Sequence, residues 1–144
     1  MAIFPKININ PVNIETSTDM KVLGRCFLFN YNENKYILEN GKLVECTVSE
    51  AINQWIELIL QSYKNEYKVY QDTDFFCNIK DLIGQKPNAF VIAELKREIK
   101  ESILKHRYID SLNSIDIQVS KNKLICKFNV TLVDTNNLQS EVIV

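Results

Sequence analysis

Glycine, proline and histidine are scarce in this 144-residue chain, at three, three and one. Gly24, Gly41 and Gly84 lie far apart, so no glycine-rich loop can cradle a phosphate in the usual form. A lone imidazole, His106, gives neither a histidine-built metal site nor a choice of general base. The four cysteines, Cys26, Cys46, Cys77 and Cys126, include no C-x-x-C pair, which removes the usual zinc arrangements. They read as small hydrophobes or half-exposed thiols, with no disulfide framework expected in a reducing compartment. An excess of one charge is missing too: 17 Lys and Arg face 18 Asp and Glu, so no basic stripe exists to attract a polyanion. The longest apolar runs, "CFLF" and "FVIA", fall far short of the roughly 18 residues that cross a bilayer. The start lacks the basic and apolar segments of a signal peptide. The expectation is a chain made in the cytoplasm, with no nucleic-acid, membrane, metal or cofactor partner.

What is present is a balanced globular composition, 46% hydrophobic and 24% charged, in a length suited to one core. Residues 1–22 carry Pro5, Pro11 and many asparagines without helical period, and read as an extended arm. Residues 23–144 read as a single α+β domain. Its first part, "RCFLFNYNENKYILENGKLVEC", predicts a β-hairpin about Asn32, Glu33 and Asn34, with a second tight turn at Asn40-Gly41.

Thr47-Val48-Ser49-Glu50 has the form of a capping box. After it Val48, Ala51, Ile52, Trp55, Ile59 and Tyr63 recur at helical steps, widened by Ile56 and Leu60. A second helix is predicted after Pro87, capped by Asn88, with Ile92, Leu95, Ile99 and Ile103 as its stripe. Its charged face offers Glu101 and Lys105 as an i,i+4 pair. The period then drops to two. Ile115, Ile117 and Val119, then Leu124, Cys126, Phe128, Val130 and Leu132, predict a hairpin turning at Lys121-Asn122. Asp134 to Asn137 reads as another turn, and "SEVIV" as a terminal edge strand of the same small sheet.

Asp72 and Asp74 are the best paired carboxylates, but acids two apart in a "QDTD" turn share one solvated environment. Turn chemistry explains them. His106 lies at the end of the second helix, where an imidazolium is favoured by the helix dipole. No G-x-S-x-G elbow is present, and no residue is assigned a catalytic role.

The order of segments carries more. Gln54-Trp55-Ile56 in the first helix, the aromatic turn from Tyr70 to Phe76, Asp81-Leu82-Ile83-Gly84, and Tyr108-Ile109 after the second helix follow one pattern. It resembles the small baseplate wedge or sheath-initiator proteins of contractile injection systems, over about residues 45 to 134. The branch it resembles is that of Gram-positive prophage baseplates, with more distant relatives in contractile phage tails, R-type bacteriocins and type VI secretion. Two departures stand out. Phe76 occupies a place where many members have glycine. His106, Arg107 and Tyr108 stand where relatives carry a Glu-Pro-Arg wedge contact.

The resemblance implies a structural protein, not an enzyme, that joins the baseplate wedge and seeds the contractile sheath by strand pairing. It implies sheath, wedge or hub proteins as partners, in several copies around a six-fold ring, and final residence in a phage tail or bacteriocin particle. The edge this predicts comprises Leu138, Val142, Ile143 and Val144, with Lys127, Asn129 and Thr131 on the neighbouring strand. An adapter touching hub or tube without seeding sheath is the alternative, and a cell-wall hydrolase a third. The aromatic stretch would then be packing, with Tyr67, Tyr70, Phe75 and Ile79 buried against the sheet at about 1.5–3 kcal/mol each.

Overall fold

The computed structural model describes residues 24–121, 123–134 and 136–144. The arm expected at residues 1–22 lies outside them. The first described elements are short. β1 (Phe29–Asn30) pairs with β2 (Lys35–Tyr36), and β3 (Leu38–Glu39) with β4 (Lys42–Leu43), both antiparallel. An isolated bridge joins Phe27 to Glu45. The expected hairpin is therefore two consecutive two-residue ladders. Both turns follow from their asparagines. Asn30 Oδ1 accepts from the amides of Asn32 and Glu33, and Asn40 and Gly41 both take positive φ, the type I′ geometry that closes a two-residue hairpin.

α1 (Val48–Gln61) starts at the predicted capping box: Glu50 N–H donates to Thr47 Oγ1, and Thr47 N–H to Glu50 Oε2 at 2.8 Å. Its buried stripe is Ile52, Ile56, Ile59 and Leu60. Val48 lies on that face but is the first residue of the helix, and it is 45% exposed there. α2 (Ala89–Ile103) is capped by Asn88, whose Oδ1 accepts from Val91 N–H at 2.9 Å. Val91, Leu95, Ile99 and Ile103 are buried, while Ile92 is only half-buried. The expected Glu101–Lys105 pair does not form. Arg97 gathers Glu94, Glu98 and Glu101 instead, at 2.9–3.0 Å. Lys105 turns away to donate to the carbonyls of Asp74 and Phe76, at 2.7 and 3.1 Å. A guanidinium fork suits several carboxylates at once, whereas the ammonium, with three donors, can serve two carbonyls together.

The C-terminal sheet is antiparallel in the order β5 (Ile109–Ser120), β6 (Lys123–Leu132), β7 (Asn137–Ile143). β7 begins earlier than "SEVIV", so Asn137 belongs to the strand and not to the turn. β6 alternates as its sequence demands, with Leu124, Cys126, Phe128, Val130 and Leu132 inward. α2 lies against β5 and α1 against β7, so both helices cover one face of the sheet. The core between the two layers is one continuous cluster. The chain is α+β, with an N-terminal hairpin region, two helices and a C-terminal three-stranded sheet.

The aromatic stretch between the helices packs differently from expectation. Ile79 is fully buried, but Tyr67 is 49% exposed. Phe75 meets Trp55 of α1 edge-on at 5.7 Å, and Tyr70 tilts against Phe75 at 4.5 Å. These rings cover the helix layer, not the sheet. The two layers already fill the sheet's inner face with aliphatic side chains, which leaves the rings the outer flank of α1.

Candidate docking edge of the C-terminal sheet

β7 has a partner on one side only. Val144 and Leu124 exchange both backbone hydrogen bonds, at 2.8 and 3.0 Å. In an antiparallel ladder such pairs alternate with non-bonded ones. Leu138, Ser140 and Val142 therefore point their N–H and C=O groups at β6. Asn137, Gln139, Glu141 and Ile143 point theirs to the open side. Among the described residues no strand pairs with that edge.

The same alternation sorts the predicted site residues. Leu138 and Val142 are buried in the core and Val144 packs against it, so these three anchor the strand. Ile143 lies on the outer face, 51% exposed. Lys127, Asn129 and Thr131 share that face on β6. Lys127 Nζ reaches Glu141 at 3.7 Å across the ladder, opposite Asp116 of β5. Thr131 Oγ1 accepts from Asn113 Nδ2 at 2.7 Å and donates to Asn137 Oδ1 at 3.0 Å, tying all three strands in one polar row. Between these rows Asn129 Oδ1 is buried without a hydrogen-bond partner. The outer face is thus polar, held in register by side chains, with a shallow concavity of about 470 Å³ at its middle.

The opposite edge differs. β5 pairs with β6 through register shifts between Ile109 and Ser111 and between Leu112 and Ser114. Such bulges twist a strand and break the even spacing of its outward groups. β7 runs in unbroken register with β6 from Asn137 to Ile143. The shifts are confined to the first half of β5, which pairs evenly from Ser114 to Ser120, so β7 is the edge that is regular along its whole length.

The predicted wedge position forms the corner between α2 and β5. His106 is buried, its ring 4.5 Å from that of Trp55, and its Nδ1 accepts from Tyr108 N–H at 3.0 Å. The acceptor role makes the imidazole neutral. Burial, then the nearby Arg107 charge, lower its pKa below the ordinary 6.5. This corrects the expectation of an imidazolium at a helix end: the ring is a packing and turn residue. Tyr108 is half-buried against the core, and only Arg107 is exposed. Asp72 and Asp74 are exposed in the loop, with Asp72 at φ 61°. Among the described residues no group of three or more His, Cys, Asp or Glu side chains could hold a metal ion. No helix there is long and apolar enough to cross a membrane.

Gln139 and Glu141 were not among the predicted edge residues, although their backbone groups line it. The alternation of Leu138 and Val142 marks them as outward, but the hydrogen-bond phase against β6 fixes which backbone groups are open. Gln54 is the other residue whose role needed coordinates. Its Oε1 accepts from Phe29 N–H at 2.7 Å and its Nε2 donates to Phe27 O at 3.1 Å, docking the hairpin region on α1.

Two helices cover one face of a small antiparallel sheet and leave a polar outer face and, among the described residues, an open β7 edge. The family model of the contractile injection system sheath initiator matches residues 25–135, and the chain belongs to that family. It is a structural component of a contractile tail-type particle, and interaction with sheath and baseplate components follows from membership. The matched range ends at the turn before β7. No curated protein matches the chain.

Proposed function

We propose that the protein joins a baseplate wedge and seeds sheath polymerisation by accepting a strand of the first sheath subunit along β7. The observation that carries this reading is the unbroken open edge formed by the backbone of Asn137, Gln139, Glu141 and Ile143. A strand added there gains main-chain hydrogen bonds while the outer polar rows set its register. Membership of the sheath-initiator family supports the partner. Several copies would sit around a six-fold ring, each offering one edge.

The test blocks the edge without removing the strand. Cutting the chain after Asn137 would also delete Leu138 and Val142 from the core. Glu141→Pro removes an outward N–H while leaving the bonds to β6, and proline is tolerated on the solvent side of an edge strand. Electron microscopy of particles carrying this variant, folded by circular dichroism, is expected to show finished baseplates on bare tubes. Normally sheathed particles would overturn the seeding reading and favour an adapter that meets hub or tube.

A further inference from the structure

Cys26 and Cys46 lie 20 residues apart in sequence, and their sulfurs are 3.5 Å apart. The bridge between Phe27 and Glu45 makes them facing residues, and Cys46 N–H donates to Cys26 O at 2.7 Å. Hydrogen-bonded antiparallel pairs hold their Cα atoms about 5.5 Å apart, inside the window a disulfide requires. A bond of about 2.05 Å needs the sulfurs to close by roughly 1.5 Å, a motion within reach of χ1 rotation. Both thiols are half-buried, so a small oxidant can reach them. Cys77 and Cys126, by contrast, are buried in the core.

We infer that Cys26 and Cys46 form a reversible disulfide that staples the start of the hairpin region to the start of α1. Gln54 Nε2 and the Cys46 thiol both donate to Cys26 Sγ, at 3.2 and 3.5 Å, and Cys26 Sγ in turn donates to Phe27 O at 3.9 Å, so the two sulfurs are held facing each other. Either thiol can open the exchange. With glutathione disulfide as oxidant and Cys26 attacking first, Cys26 gives its proton to water, and its sulfur bonds to one glutathione sulfur and expels the other as thiolate. That thiolate takes the Cys46 proton, and Cys46 sulfur then displaces the second glutathione from Cys26 as a thiolate, which takes up the proton first given to water. Two protein thiols are oxidised and one glutathione disulfide is reduced to two thiols. The inference is independent of the strand-addition reading, because the pair lies in the hairpin region and not at β7.

The reduced full-length protein, treated with glutathione disulfide, tests this directly. Trypsin cuts after Arg25, Lys35, Lys42 and Lys64, so Cys26 and Cys46 fall in the separate peptides 26–35 and 43–64. The expected result is a monomer on a non-reducing gel that yields these peptides joined, lighter by two hydrogens than their sum and separated by dithiothreitol. The joined species should be absent from Cys46→Ser. Free peptides, a stable glutathione adduct on Cys26, or a link between two chains would each overturn the inference.

Discussion

His106 shows what a single side chain contributes when its environment, not its type, sets its role. The ring is neutral because Nδ1 already accepts the Tyr108 N–H and because burial and Arg107 oppose a second proton. Its folded pKa lies below the ordinary 6.5, so the unfolded chain binds more protons in the window between the two values. The stability it contributes is complete above the unfolded value and is lost as pH falls through the folded one. Denaturant midpoints measured from about pH 7.5 down to about pH 5.5 should therefore fall for the wild type. His106→Gln should remove that component of the slope. An unchanged slope would mean the ring does not titrate there. The sequence places His106 at the end of α2 but cannot show that Trp55, 51 positions earlier by residue number, stacks edge-on against it.

At the scale of elements, strong local signals survived and long-range ones did not. The capping box at Thr47, the cap at Asn88 and the period-two run of β6 were legible because each is decided by residues within one turn or one strand. The aromatic stretch was not. Its carbonyls at Asp74 and Phe76 are held by Lys105, about thirty residues away, and no local pattern announces that clamp. The hairpin region is a similar case. Its strands are two residues long, and its attachment to α1 runs through the Gln54 amide. Gln54→Ala leaves the Phe29 N–H and Phe27 O without that partner. A cost of about 1–3 kcal/mol is expected, confined to this region. Hydrogen exchange should quicken at Phe29 while the amides of β6 keep their protection. Uniform loss of protection would instead make the hairpin region part of the cooperative core.

For the whole molecule, the two layers stand or fall together. Ile56 is fully buried, in the core cluster shared by both helices and all three strands of the sheet. Ile56→Ala should cost about 2–5 kcal/mol and lower the unfolding midpoint without changing the order in which regions exchange. Global denaturation followed by far-ultraviolet circular dichroism measures this. A loss below about 1 kcal/mol would mean the layers collapse around the gap. The α+β architecture was legible because hydrophobic periodicity switches from helical to alternating from Ile115 on, although β5 itself begins earlier, at Ile109, in a stretch whose bulges break the alternation. The open edge was half legible. Alternation marks a last strand, while the phase of its ladder is a property of β6 and β7 together.

The difference between the two borders of the sheet also has a consequence for numbers. A sheet receptive on both sides would link copy to copy and grow as a ribbon. Here bulges interrupt the first half of β5, whereas the ladder of β7 is even along its whole length. Under the proposed strand addition along β7 alone, each molecule begins one chain of strands, which grows away from the baseplate on that side.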